Sequence, residues 1–195
     1  MFYKQLVRGA CALFALTAVA ALAASRGAGI AIWDMDEIKK IKTVCNENGL
    51  KLHCDGARLF NALEVSKIDP REYASYFDSI SICLSKGLGA PVGSMLIGSH
   101  EFIAASRRRR KSMGGGMRQA GIIAAGALFA LKNNVKRLKE DHDNAKLLGE
   151  ILEQHDEIKS VFPIDTNIVI AETKNPTGAM EYVNKMKDYN ILCFP

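Results

Sequence analysis

The sequence predicts an α/β protein organised around a largely parallel sheet. Short apolar runs alternate with segments of helical period. The runs at residues 50–54 and 77–84 are separated by enough helical sequence for a crossover connection. Each also ends abruptly in polar, turn-forming residues, Asp55-Gly56 in one case and Ser85-Lys86-Gly87 in the other.

The elements follow in order. Residues 34–48 read as a helix: Met35, Ile38, Ile41 and Lys42 keep a 3.6-residue period, Asp34 caps the start and Gly49 the end. Residues 50–54 form a short buried strand, and residues 59–63 begin another helical piece. Asp69 then caps a helix over residues 70–76, with Pro70 in its first turn. Residues 77–84 are the next strand and residues 94–98 a further one. Ser99 caps a helix carrying the run Arg107-Arg108-Arg109-Arg110-Lys111. Gly114-Gly115-Gly116 breaks the chain before an Ala- and Gly-rich helix over residues 119–131. Residues 140–154 form a helix with Leu147, Leu148, Ile151 and Leu152 on one side. Residues 158–162 and 167–171 read as strands, and residues 176–189 as a helix with Met180, Val183 and Met186 inward. Strand, strand and helix after a long helix suggest the start of a second, smaller α+β domain. The expected organisation is an apolar leader over residues 1–30, part of a large domain over 31–140 and the beginning of a small domain over 141–195.

Composition narrows the classes. Hydrophobic residues make up 48% of the 195, ample for a core and incompatible with general disorder. The net charge of +5 is largely local, because residues 107–111 alone supply five cations. That run reads as a solvated helix face or an anion site. Nucleic-acid binding is not expected, since no aromatics are interleaved with it. The five cysteines include no CxxC and no metal-ligand spacing, so neither a disulfide framework nor a metal centre is expected. Cys54 and Cys83 read as small core residues. The four histidines are scattered, and His53 is expected to face away from Asp55.

Residues 1–30 differ in character. Lys4 and Arg8 precede an almost uninterrupted apolar run over residues 9–24, followed by small residues. This is the layout of a secretory signal peptide, which is the favoured reading, with an Ala-rich buried helix and a foreign segment joined to the chain as alternatives. It is short for a stable membrane span, which needs about 20 apolar residues.

The chemistry concentrates in two turns. Lys86 and Asp55 each follow an apolar strand, and in open parallel sheets ligands bind beyond the carboxyl ends of strands. An amine and a carboxylate so placed suit pyridoxal 5'-phosphate, with the lysine as Schiff-base partner and the aspartate at the pyridinium nitrogen. Three blocks then carry a family resemblance: HCDGARLFNA (residues 53–62), SICLSKGLGAPVGSMLIGS (residues 81–99) and MGGGMRQAGIIAA (residues 113–125). Together, in this order and spacing, they resemble the low-specificity L-threonine aldolases of the β-eliminating lyase and threonine aldolase group. Weaker similarity extends over residues 34–49 and 141–195, and the first 30 or so residues lie outside it.

The resemblance implies a pyridoxal-phosphate-dependent transferase-like (fold type I) large domain, incomplete here. It implies cleavage of threonine or allo-threonine to glycine and acetaldehyde by a retro-aldol step, in a cytoplasmic homodimer or homotetramer. The signal-like start leaves export open. Lys86 takes the catalytic role and Asp55 the ring nitrogen. Arg58 grips the substrate carboxylate through its planar fork. Arg118 lies near the cofactor phosphate, from a neighbouring subunit, and Lys111 reaches the same region as a substrate-side cation. Asn167 matches a small-domain motif, as a ligand contact or a structural residue. No general base is identified. The family's phosphate-binding loop has no counterpart before Trp33, so weak cofactor binding is expected. Two alternatives stay open: another fold-type-I lyase of the β-eliminating kind, and a chain without independent activity.

Overall fold

In the computed structural model, residues 32–175 and 178–195 are described. The apolar leader expected over residues 1–30 lies outside them. The described residues divide into two compact units, 32–138 and 139–195.

In the first unit, Asp34 accepts a hydrogen bond from the Asp36 N–H and opens helix α1 (Met35–Glu47). The chain turns at Gly49 and enters strand β1 (His53–Gly56). Helix α2 (Leu59–Ser66) follows, then α3 (Pro70–Ser75), whose N-cap Asp69 accepts from the Arg71 and Glu72 N–H groups. Strand β2 (Ser79–Cys83) returns parallel to β1, with Asp55 opposite Ser81 and Gly56 opposite Ile82. Both strands are shorter than the apolar runs that signalled them. Leu52 is fully buried outside β1 proper, and its carbonyl accepts from the Asp78 N–H.

Strand β3 (Ser94–Gly98) corrects the parallel expectation: it runs antiparallel to β2, giving a mixed sheet of order β1-β2-β3. The cause is the connection. Residues 57–78 contain two helices and can cross over, whereas residues 84–93 contain none and can only turn back. The Leu84 N–H donates to the Gly93 carbonyl at 3.0 Å and closes that return.

Beyond β3, Ser99 caps α4 (His100–Ser112) by accepting from the Phe102 N–H, and α4 buries no residue. Helix α5 (Gly121–Asn133) is apolar on all sides yet buries only Ala130. The core of this unit gathers Ile38, Leu52, Cys54, Leu63, Tyr73, Phe77, Ile80, Ile82, Leu84, Leu88 and Leu138. Cys83, expected inside, is only partly buried, because strand alternation turns it away from Ile82 and Leu84.

One ion cluster ties the elements together at the strand entrances. The Asp78 carboxylate accepts from Lys42 Nζ at 2.8 Å, Lys51 Nζ at 2.9 Å and the Leu52 N–H at 2.9 Å. Burial by itself would raise its pKa. The backbone donor and the two ammoniums outweigh that and hold the carboxyl well below the usual range.

The second unit holds most of α6 (Leu138–Glu153), an antiparallel pair of β4 (Ile158–Val161) and β5 (Ala171–Thr173), and α7 (Ala179–Asp188). Helix α6 buries His142, Ala145 and Gly149, while Leu147, Leu148 and Ile151, three of the four apolar residues expected on one side of it, are about half exposed. A Cβ built at Gly149 would collide with Ile164, so the chain packs on the small-residue face of α6. Strand pairing starts at Ala171, not at Asn167, because β5 reaches β4 only where the Phe162 N–H meets the Ile170 carbonyl at 2.9 Å. On α7 only Val183 of the three expected inward residues is buried; Met180 and Met186 are exposed.

Candidate functional site

Two of the expected residues meet in one place. Asp55 and Arg58 line a cavity of about 30 Å³ with Trp33, Cys54, Leu59 and Tyr73. β1 delivers Asp55 and the turn after it delivers Arg58. The Asp55 carboxylate accepts from the Ala57 N–H at 3.1 Å, which orients it locally. Gly56 lets β1 and β2 close at this point: a Cβ there would stand 2.8 Å from the Ser81 carbonyl oxygen. The Arg58 Nε is buried without a hydrogen-bond partner among the described residues. A buried guanidinium nitrogen with no acceptor is costly, and an anionic ligand would satisfy it.

The wall behind Asp55 is firm and unreactive. Burial pushes the Cys54 thiol up to about 11, against the lowering effect of its hydrogen bond with Tyr73. Burial likewise raises the Tyr73 phenol, and its ring packs on Phe77 at 5.2 Å between centroids. Trp33 and Tyr73 were not anticipated at this cavity. Trp33 carried a signal, as the one tryptophan of the chain placed just before a helix cap. Tyr73 carried none, because its position depends on how α3 returns to the sheet.

His53 corrects an expectation. It shares the partly buried face with Asp55, since residues two apart on a strand point the same way, and its Nδ1 lies 2.8 Å from Ser79 Oγ.

Lys86 follows β2 as Asp55 belongs to β1, so the two sit at the carboxyl ends of neighbouring parallel strands. The lysine is exposed, and no hydrogen bond or ion pair to its ammonium occurs among the described residues. Lys111 lies at the end of α4 and folds toward Gly116, where a built Cβ would stand 3.1 Å from its Nζ. Arg118 is exposed between Gly116 and α5. Among the described residues no hydrogen bond or ion pair joins Lys111 or Arg118 to Asp55, Arg58 or Lys86. Asn167 belongs to the second unit and is partly buried there, next to the buried Thr166.

The fold is a mixed α/β one that places an aspartate and a lysine at the ends of neighbouring parallel strands. The beta-eliminating lyase family model matches residues 7–176, and the chain belongs to that family. The match begins at residue 7 and so takes in the apolar run over residues 9–24, which had been set outside the resemblance. The chain is 46% identical over 168 residues to a low-specificity L-threonine aldolase of Candida albicans, which covers 82% of this chain and 45% of the relative. It is 45% identical over 157 residues to the low specificity L-threonine aldolase of Escherichia coli K12, covering 80% and 46%. Among solved structures, a Leishmania major threonine aldolase superposes with a TM-score of 0.65 at 22% identity, covering 80% of this chain and 46% of that one. An Exiguobacterium structure assigned to the aromatic amino acid beta-eliminating lyases and threonine aldolases gives 0.72 at 25%, covering 83% and 46%. The expected fold type is that of these structures. The chain spans about half the length of the relatives it matches.

Proposed function

We propose that this chain carries the lysine-bearing part of a pyridoxal-phosphate-dependent aldolase that cleaves threonine or allo-threonine to glycine and acetaldehyde. One observation carries the reading: Lys86 and Asp55 stand at the carboxyl ends of adjacent parallel strands, in a chain 46% identical over 168 residues to such an aldolase. The orphaned Arg58 Nε supports it, as a donor in need of an anion.

In this reading the cofactor, when bound, supplies an electron sink for the breaking carbon–carbon bond. Lys86 Nζ would hold the cofactor. Asp55 keeps a proton at the ring nitrogen. Arg58 orients the substrate by its carboxylate, with Lys111 as a second cation on the substrate side. Arg118 serves the phosphate, across a contact between two copies in a homodimer or homotetramer. A second reading is a chain without independent activity, favoured by the large exposed apolar side chains on β3 and α5.

The test is reductive trapping. Protein mixed with pyridoxal phosphate and reduced with borohydride should yield a pyridoxyl group on the peptide containing Lys86, and Lys86→Ala should remove it. Label spread evenly over exposed lysines would sink the proposal. Acetaldehyde release from allo-threonine, lost in Lys86→Ala, separates the active from the inactive reading.

A further inference from the structure

The turn that carries Lys86 is fixed far more tightly than an exposed loop needs to be. The Ala90 N–H donates to the Leu84 carbonyl at 2.9 Å, and the Gly89 N–H to the Lys86 carbonyl at 2.8 Å. Gly89 takes φ +70°, a conformation open to glycine at little cost. Leu84, Leu88 and Ala90 are sunk in the core, while Ser85 and Lys86 point out. Two side-chain amides complete the frame. Gly87 lies against buried Asn61 of α2, where a built Cβ would stand 3.1 Å from Asn61 Oδ1. From 46 residues further along the chain, Asn134 Nδ2 donates to the Leu88 carbonyl at 2.7 Å. Asn134 is the C-cap of α5, the helix that begins just after the Gly114–Gly116 and Arg118 block.

We infer that Asn134 is a positioning residue for Lys86, holding the lysine turn in the register at which its amine meets the cofactor. The inference rests on the reading of Lys86 as the cofactor lysine. A lysine side chain has four rotatable bonds, so the placement of its amine depends first on a fixed backbone. Leu88 offers a carbonyl that must accept, and Asn134 supplies its donor from outside the turn. The neighbouring Asn133 is the internal control: its amide donates to the Phe129 carbonyl within α5.

The experiment traps the full chain with pyridoxal phosphate and borohydride across a pH series, and measures pyridoxyl label at Lys86 against label at the exposed lysines. Asn134→Ala should lower the Lys86 share about five- to tenfold, the factor that one lost hydrogen bond of ordinary strength carries. It should also shift the pH at which Lys86 labelling is half maximal. Asn133→Ala should do neither, and Asn134→Gln should restore most of the label. If Asn134→Ala does not fold, Asn134→Asp decides: it is isosteric, its carboxylate cannot donate to Leu88, and it should behave as the alanine variant was expected to. Unchanged Lys86 labelling in a folded Asn134 variant overturns the inference and leaves the cofactor lysine standing. No selective label on Lys86 in the unsubstituted chain overturns the cofactor reading, and this inference with it.

Discussion

Asp78 is the residue on which the strand entrances depend. Its carboxylate gathers a backbone N–H and two lysines from different parts of the chain, Lys42 on α1 and Lys51 before β1. Asp78→Asn should cost about 1–3 kcal/mol by leaving those donors poorly matched. The pH dependence has a fixed sign. The folded carboxyl sits below its ordinary value of about 3.9, so its contribution is complete well above that pH and is lost as pH falls toward the folded value. Acid unfolding followed by circular dichroism should therefore show a shallower acid limb in Asp78→Asn than in the parent. Cys54 gives a second check at this scale. Buried, with its thiol pushed up to about 11, it should resist iodoacetamide at pH 8 until the chain unfolds. Cys193, exposed, should be alkylated in the native protein. Early alkylation of Cys54 on peptide mapping would contradict the packing around Asp55.

At the scale of elements, the helix starts were the most legible part of the sequence. Asp34, Asp69 and Ser99 cap the helices they were expected to cap, because a cap is a local interaction between a side chain and N–H groups two or three residues on. Asp69→Ala should cost about 1 kcal/mol and fray α3, where Tyr73 closes the cavity beside Asp55; thermal unfolding would read it. Strand direction was less legible. β3 has an apolar run like that of β2, and nothing within residues 94–98 states that it returns antiparallel. The inward face of α7 was misjudged because periodicity marks the apolar side of a helix. It does not say whether the neighbouring chain packs on that side or on the small residues.

At the scale of the whole molecule, the described surface exposes several large apolar side chains. Met95, Leu96 and Ile97 of the β3 edge are each more than 40% exposed, as are Ile122, Leu128 and Phe129 on α5. An open sheet edge flanked by apolar side chains recruits other chains. The purified protein should enhance anilinonaphthalene sulfonate fluorescence strongly and associate with rising concentration in sedimentation runs. Leu96→Lys should reduce both by placing a charge on the edge. A monomer that leaves the dye dark would show that these surfaces are covered.

The sequence by itself determined that Asp55 and Lys86 come at the ends of apolar strands, the family of the chain and the helix caps, because each is carried by residues close together in the chain. Only the tertiary structure decided which groups surround them. It brought Trp33 and Tyr73 to the cavity of Asp55 and Arg58, turned β3 back against β2, and set Asn134 on the carbonyl of Leu88, 46 residues away. Those contacts join segments remote in sequence, so they exist only once burial of the shared core has fixed the backbone on both sides.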